Sequence, residues 1–370
     1  MAMNIKDFRN EIRLGGVIEN YFIQKDPKAK RMFDGGERFK KGDTFTEYKG
    51  YIDVRTSPED VVRIGVQTEW SEYNGEPTKV SVALEAMSNN EIPTYRKTQS
   101  LADTPLISFF GRDKQENPQM KFSDNYYATK EGLMVETIRT DLGFAKFSIK
   151  DPSANCDWSD TKEFQNEFIV SGVITDLKDE VVKDEETGRV LVKVQVPYTY
   201  GSEEKGNLVV RAMPITLVAG MSSDEEGEFD MAELIMEEEE EAGVTDLSWK
   251  INGHIHGWTD VPEQPKEDTS GRRRLGRKTV DTQNKGKHVQ EFMIDGIDIL
   301  GEDGELFDLD DLQDAINARR VDMENKAKKK AESAEAPKSD SRSRITRDEK
   351  PSEGASAGAG AGRAGRRRSW

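Results

Sequence analysis

Residues 8–20 read FRNEIRLGGVIEN, and residues 164–176 read FQNEFIVSGVITD. Six of the thirteen positions are identical, at a spacing of 156 residues. Repetition at this spacing predicts two domains of one type, each opening with the same stretch. Both copies have the β-branched content of a strand, and each has a glycine, Gly16 or Gly172, in its middle. Because glycine lacks a Cβ, the repeat predicts a strand that bends there and pairs on both of its sides.

Length and cysteine content limit the class of protein. The chain of 370 residues has room for two domains of roughly 150 residues and a tail. Cys156 is the single cysteine, which excludes an intrachain disulfide framework and is typical of a reducing compartment. The sequence contains no long apolar run and begins with a charged stretch. We therefore predict a cytoplasmic protein without a membrane partner.

Charge is distributed unevenly along the chain. The net charge is −17, but residues 326–370 carry 13 Lys or Arg against 6 Asp or Glu, which leaves +7 there and −24 on the rest. So acidic a body argues against a protein that coats duplex DNA by bulk charge, although a local basic groove remains compatible with it.

The second unit, residues 164–303, has the clearer pattern of elements. Its predicted order is strand, acidic hairpin loop, strand, strand, acidic helix, strand, long polar loop and strand. The second strand has valines at positions 190, 192, 194 and 196, a period of two. In the fourth strand, WKINGHIHGW, Trp249, Ile251 and Ile255 alternate with polar residues. Five strands with a helix between the third and fourth is the order of the OB-fold, a Greek-key barrel.

The first unit, residues 1–150, repeats the opening strand and continues less regularly. A long polar loop is predicted over 25–43, and strands are predicted at YKGYIDVRT, VVRIGVQTEW, KVSVALEAM and GFAKFSIK. The predicted fold class is therefore mainly β, with two tandem OB-like five-stranded Greek-key barrels. The predicted boundaries are a linker at 151–163, the second domain at 164–303, a helix at 304–333 and a disordered basic tail at 334–370.

The pattern across residues 164–303 resembles the single-stranded-DNA-binding proteins of bacteria and phages. The resemblance rests on NEFIVSGVI, the valine-rich second strand, WKINGHI before a long basic loop, and the closing QEFMIDGIDIL. It implies sequence-independent binding and protection of single-stranded DNA in replication, recombination or repair. The tandem arrangement and tail favour a phage-encoded version, acting in the host bacterial cytoplasm. Familiar members end in an acidic tip that recruits partners, whereas this chain ends in GRRRSW.

Candidate binding residues follow from what a single strand requires, namely cations for phosphates and aromatic faces for bases. In an OB-fold these belong on strands two and three and on the loops joining strands one to two and four to five. The candidates in the first unit are Lys28, Lys30, Arg31, Phe33, Arg38, Phe39, Lys40 and Lys41. Those on the strands of the second unit are Lys193, Tyr198, Tyr200, Arg211, Lys250, His254, His256 and Trp258. Those in and after its long loop are Arg272, Arg273, Arg274, Arg277, Lys278, Lys285 and Lys287.

Other interpretations were weighed for the same residues. Basic loops are often only solvated, and single aromatics more often pack than stack on bases. His254-x-His256 is a metal-ligand spacing for a strand, with His288 as the only other histidine and Asp295 as a conceivable further donor. Without a cysteine pair or H-E-x-x-H we nevertheless predict no metal. Without G-x-S-x-G or a Walker loop we also predict no enzyme and no cofactor.

Partners beyond single-stranded DNA are predicted less directly. The acidic run Asp224–Glu241, or the tail, is a candidate contact for replication or recombination proteins, unless the run is a solvated helix. The first domain is a candidate for self-association. The alternative function is a non-enzymatic virion structural or assembly protein, in which OB-like barrels serve as interaction modules.

Overall fold

The computed structural model of the chain describes the residues from Phe8 to Glu335 with internal gaps. The described ranges are 8–31, 40–68, 72–73, 76–109, 120–129, 133–141, 147–152, 156–182, 185–201, 208–223, 227–260, 287–301 and 308–335. The tail beyond 335, including Arg363 and Arg366 to Arg368, lies outside them.

Sixteen strands and four helices are assigned within these ranges. Those of the first unit are β1 Asn10–Lys30, β2 Thr44–Arg55, β3 Val61–Thr68, β4 Glu72–Tyr73, β5 Glu76–Pro77, α1 Lys79–Ser88, α2 Tyr95–Thr98, β6 Leu106–Ser108, β7 Lys121–Ala128, β8 Met134–Asp141 and β9 Ser148–Lys150. The rest are β10 Gln165–Val182, β11 Glu185–Tyr200, β12 Val209–Ala219, β13 Met221–Ser223, β14 Glu228–Asp230, α3 Met231–Glu241, β15 Ser248–Asp260, β16 Lys287–Ile299 and α4 Leu309–Glu335. The protein is mainly β, as predicted.

Five strands of the second unit close into a barrel. The hydrogen-bonded order is β10, β11, β12, β16 and β15, and β15 returns to β10. All neighbours are antiparallel except β12 and β16, which pair in parallel at Val218 and Met293. Helix α3 lies in the chain between β12 and β15. The predicted order of five strands with a helix between the third and fourth is confirmed, with a short β13–β14 hairpin added before the helix.

The barrel interior follows the period of two that the sequence shows. Val192, Val194 and Val196 are fully buried, as are Ile251 and Ile255 on the inner face of β15. Asn252 and His254, which alternate with these residues, keep partial exposure, and Gly253 between them is buried. Side chains therefore alternate between core and surface along β11 and β15, as predicted.

The predicted bend at the repeated glycine is present in both copies. Strand β10 pairs with β15 up to Val173 and with β11 from Val173 onward. A Cβ on Gly172 would lie 2.6 Å from the carbonyl oxygen of Gln195, and one on Gly16 would lie 2.2 Å from that of Arg55. Any larger residue would push the second strand away, which explains why glycine recurs at this position.

The repeated asparagines hold each bent strand to a further strand of its unit, β15 in the second unit and β7 in the first. The amide of Asn166 donates to the carbonyl of Ile255 at 2.8 Å, and its oxygen accepts from the Ile255 N–H at 3.0 Å. Asn10 makes the same pair of bonds with the carbonyl and N–H of Phe122, both at 2.9 Å. The side chain supplies the two hydrogen bonds that a neighbouring strand would otherwise provide.

The two copies of the repeat also pair with each other. Strands β1 and β10 run antiparallel, and Ile12 lies opposite Phe168, its own counterpart in the repeat. Asn10 lies opposite Val170, and Leu14 lies opposite Asn166. Because 10 corresponds to 166 and 14 to 170, the ladder has an internal two-fold symmetry. The opening strands thus join the units in the way that two subunits of a homodimer would be joined.

The strands of the first unit form an antiparallel series with one parallel pair. Strands β1, β2 and β3 are antiparallel neighbours, and β3 pairs in parallel with β8. Strand β7 pairs with β8, while β6 pairs with β1 and with β9.

The predicted strand KVSVALEAM is wrong, because these residues form α1. Thr78 caps this helix by accepting from the Ser81 N–H, and the apolar residues Leu84 and Met87 turn inward while Val82 stays exposed.

Two predicted loops are partly strand. Strand β1 continues through Lys30 and β2 begins at Thr44, so residues 25–30 of the loop predicted at 25–43 belong to a paired strand, and residues 32–39 of it lie outside the described ranges. Strand β10 continues to Val182 and β11 begins at Glu185, where an acidic loop was predicted. Backbone pairing across a hairpin tolerates exposed polar side chains on both faces, which composition alone does not indicate.

The C-terminal helix α4 packs against both units. Leu312 and Ala315 are buried against Val173 and Ala212 of the barrel, together with Phe8. Further along α4, Arg319 forms ion pairs with β7 and β8 of the first unit. None of the described helices is long and apolar enough to cross a bilayer.

Candidate nucleic-acid interface

The outer surface of β1, β2 and β3 carries an aromatic pair. Phe22 lies opposite Tyr51 in the ladder, and Tyr51 lies opposite Gly65. Phe22 is 45% exposed, and its ring centroid is 6.0 Å from that of Tyr51. A Cβ at Gly65 would meet no atom within 4 Å, so the surface beside Tyr51 is open. We call Phe22, Tyr51 and Arg63 the aromatic face.

Arg63 completes this face by stacking on Tyr51. Its guanidinium carbon is 3.9 Å from the centre of the Tyr51 ring. Two of its nitrogens donate to the two oxygens of Asp53, at 2.7 and 2.9 Å. Burial opposes the charge of Arg63, but the hydrogen bonds and charge of Asp53 outweigh burial and raise its pKa. The two hydrogen bonds to Asp53 therefore fix the orientation of the Arg63 guanidinium plane on Tyr51.

Predicted cations lie at the end of the hairpin formed by β1 and β2, the strands that carry Phe22 and Tyr51. Lys28 and Lys30 are exposed on β1, and Lys40 and Lys41 are exposed just before β2. The Arg31 guanidinium is 3.9 Å from the ring centre of Phe45. The candidates Phe33, Arg38 and Phe39 lie outside the described residues.

The β15–β16 hairpin of the second unit lies along β3. The Arg63 N–H donates to Gln290 at 2.7 Å, and a Cβ on Gly257 would lie 2.2 Å from the Val61 carbonyl oxygen. His288, two residues before Gln290, has a pKa lowered by burial and by the positive charge of Arg63. The structure thus places the base of the long basic loop beside the aromatic face.

That loop itself lies outside the described residues. It leaves the hairpin after Asp260 and rejoins it at Lys287. Its candidate cations are Arg272, Arg273, Arg274, Arg277, Lys278 and Lys285, and the side chain of Lys287 is not described either. Their role stays a prediction.

Polar candidates on the outer face of β15 are paired with carboxylates. His256 Nδ1 is 2.6 Å from Asp60, and its ring centroid is 5.0 Å from that of Trp258. Lys250 Nζ is 2.5 Å from Asp298. These pairs reduce the positive charge that β15 presents to a phosphate.

A cleft of about 480 Å³ adjoins His254. Its lining includes Met221, Ser222, Glu228, His254 and Asp295. Asp295 lies between the other two hydrogen-bonding groups: Ser222 donates to it at 2.8 Å, and His254 Nδ1 is 2.9 Å from both of its oxygens. A nucleophilic serine needs the imidazole next to its hydroxyl, and this arrangement has the carboxylate there instead.

The same described residues do not form a metal site. Within the described ranges, no three His, Cys, Asp or Glu side chains come together in a group able to hold an ion. His254 keeps an ordinary histidine–carboxylate contact. Burial alone would lower its pKa, but the hydrogen bond and charge of Asp295 outweigh that effect and raise it.

Two candidates on the second barrel are used inside the protein. The Tyr198 hydroxyl donates to Asp124 at 2.8 Å, and burial and this bond raise its pKa. Arg211 is 7% exposed and donates to the Tyr126 hydroxyl at 2.8 Å. Both side chains join β11 and β12 to the first unit, which leaves them little surface for a nucleic acid. Tyr200 and Lys193 remain exposed.

The acidic run Asp224–Glu241 is mainly helix α3. Asp230 caps the helix by accepting from the Ala232 N–H at 2.9 Å. Ile235 faces the core, while Glu237 and Glu238 are exposed. Residues 224–226 lie outside the described ranges, and recruitment through the run stays a prediction.

The aromatic face was not among the sequence-derived candidates. Alternation in YKGYIDVRT already placed Tyr51 opposite the buried Ile52 and Val54, so its exposure could have been inferred. Phe22 was hidden because a register shift between Ile18 and Asn20 interrupts the alternation of β1. The stacking of Arg63 on Tyr51 depends on strand register.

The fold and this face define the class as a mainly β protein built around a closed five-stranded barrel. Within that class, the chain belongs to the YorF family, whose model matches residues 120–333, more than half of the chain. No curated protein matches the chain significantly.

Proposed function

We propose that this protein binds single-stranded DNA without sequence preference, for protection during replication, recombination or repair. The observation that carries the proposal is the aromatic face, in which the exposed ring of Phe22 adjoins Tyr51 and the guanidinium of Arg63. Bases stack on aromatic rings and on arginine planes whatever their sequence.

We further propose that both units are OB-like barrels. The second has the OB strand order and a parallel pair between its third and fifth strands. The first shows the corresponding parallel pair, β3 with β8, and the same asparagine contact to its fourth strand. In this interpretation β6 and β7 are parts of the fourth strand, and β8 and β9 are parts of the fifth. The aromatic face then lies on strands one to three, where OB-folds bind oligonucleotides.

Charge supports a single strand as the ligand. The body is strongly acidic, so a duplex, with its dense phosphate charge, would be repelled from most of the surface. Lys28, Lys30, Lys40 and Lys41 supply local cations at the end of the hairpin formed by β1 and β2, the strands that carry Phe22 and Tyr51. The basic loop between Asp260 and Lys287 leaves the hairpin that lies along β3.

The test is fluorescence anisotropy with a labelled dT oligonucleotide of about 30 nucleotides, at low and high salt, beside a duplex of equal length. We expect tight, salt-sensitive binding of the single strand and weak binding of the duplex. Phe22→Ala should weaken binding about 5- to 150-fold, the equivalent of one lost stacked base at about 1–3 kcal/mol.

The matched control is Tyr127→Ala, which removes another exposed aromatic, 49% accessible, from β7. It should bind like the unmodified protein. Equal affinity of the Phe22→Ala variant and the unmodified protein, or equal affinity for duplex and single strand, would show the proposal to be wrong.

A further inference from the structure

A second stack of cations and rings lies where α4 meets the end of the β11–β12 hairpin. The Arg211 guanidinium is 3.9 Å from the ring centre of Tyr200, and Lys326 Nζ is 4.0 Å from that of Tyr126. The Tyr126 hydroxyl accepts from Arg211 at 2.8 Å. The four side chains therefore alternate as ring, cation, ring and cation.

Asp322 holds three of these side chains in place. Tyr126 donates to Asp322 at 2.6 Å, and Asp322 also pairs with Arg211 at 3.3 Å and with Lys326 at 3.0 Å. Tyr126 belongs to β7, Tyr200 to β11, Arg211 to β12 and Asp322 to α4, so the stack joins four elements. An aromatic ring fixed in advance loses little conformational entropy when a base stacks on it.

The exposed end of this stack is suited to a nucleotide. Tyr200 is 52% exposed, and Arg211 contacts its ring from the buried side of the strand pair. Val209, its partner across the hairpin, is also exposed, which extends the apolar surface. A base that covers Tyr200 would remove apolar area from water without breaking an existing bond.

The next turns of α4 supply positive charge. Lys326 is followed by Lys328, Lys329 and Lys330, and all three of these are exposed. The next turn of the helix, residues 331–334, contains one acidic residue, Glu332. These lysines continue the helix from Lys326, which contacts the Tyr126 ring. Grouped lysines of this kind provide the phosphate contacts that accompany base stacking.

We infer that Tyr200 and the lysine-bearing turns of α4 form a second single-strand site, separate from the aromatic face. The inference rests on the proposed function. No residue of one site takes part in the other, so each chain should hold two short oligonucleotides at once. The C-terminal helix, which packs against both units, then also contacts DNA.

The experiment counts bound dT oligonucleotides of about eight nucleotides by native mass spectrometry, with calorimetry as a second readout. The length lies within the span that one OB-fold covers. The full chain should bind two. Phe22→Ala and Tyr200→Ala should each retain one, and the double variant none.

Two further variants test the chemistry of the site. Tyr200→Trp should keep both oligonucleotides and add a fluorescence signal that the single strand quenches. Replacing Lys328, Lys329 and Lys330 together by Gln should weaken the second binding event and reduce its salt dependence, leaving the first unchanged.

The outcomes separate the two proposals. One bound oligonucleotide, or two that Tyr200→Ala leaves in place, would overturn the second site while the aromatic face stands. No bound oligonucleotide at all would overturn the proposed function as well. If Tyr200→Ala instead abolishes a contact between protein chains and leaves the count unchanged, the patch is a protein interface and the inference is wrong.

Discussion

Arg319 joins the C-terminal helix to the first unit, and its replacement by Met should destabilise the whole protein. Its Nε and Nη2 donate to the two oxygens of Asp124 at 2.7 and 2.8 Å, and its Nη1 donates to Glu136 at 2.9 Å. The side chains of Arg319 and Asp124 are only 9% and 2% exposed. Desolvation opposes the charge of Arg319, yet the bonds to Asp124 outweigh it and raise its pKa.

The magnitude follows from what the substitution leaves behind. Arg319→Met keeps the length of the apolar stem but leaves the buried carboxylate of Asp124 without its positively charged partner. Asp124 then retains only the hydrogen bond from Tyr198. Breaking a buried pair in this way costs about 3–5 kcal/mol. Since a domain is stable by about 5–15 kcal/mol, such a loss is a large fraction of the total.

Urea unfolding followed by circular dichroism measures the effect. The matched control is Arg320→Met, one residue along on the exposed side of α4, which should change the unfolding free energy by less than about 0.5 kcal/mol. Arg319→Met combined with Asp124→Leu should recover part of the loss, because no unpaired charge remains. A loss below about 1 kcal/mol for Arg319→Met alone would refute the reasoning.

Two other predictions concern the repeat and the histidines. Asn10→Ala leaves one backbone N–H and one carbonyl of β7 without their partner, and Asn166→Ala does the same on β15, so each should lower the unfolding free energy by about 2–4 kcal/mol in urea titrations. Because Asn166 also donates to Thr56 at 3.2 Å, its loss should be the larger of the two, and a loss below about 1 kcal/mol from either variant would contradict the reasoning. The pKa of folded His254 lies above its ordinary value of 6.5 because the bond to Asp295 outweighs burial, so the pair stabilises the fold below about pH 6.5 and loses that contribution as pH rises through the folded pKa. The stability difference between the unmodified protein and His254→Gln should therefore be larger at pH 5.5 than at pH 8.5, and a difference that grows toward high pH would show the sign to be wrong.

Local pattern was sufficient for much of the fold. The valines of β11, the alternation in β15 and the glycine of the repeat predict strands, faces and a bend, because each depends on the few residues around it. The same reasoning failed at KVSVALEAM, which fits two patterns. Val80, Val82 and Leu84 alternate as in a strand, whereas Leu84 and Met87 have the three-residue spacing of a helix face. The Thr78 cap and a core that receives Leu84 favoured the helix.

The candidate sites required the tertiary structure. Arg211 and Tyr198 looked like surface residues of an OB-fold, yet they pair with Tyr126 and Asp124, more than 70 residues earlier in the chain. Contacts over such separations leave no periodic trace in a sequence. The repeat itself shows both sides of this limit: the sequence determined that two units open alike, whereas only the assembled structure decided that these strands pair with each other about Ile12 and Phe168. Strand identity depends on local residue order, but strand partners depend on which buried surfaces meet once the chain has folded.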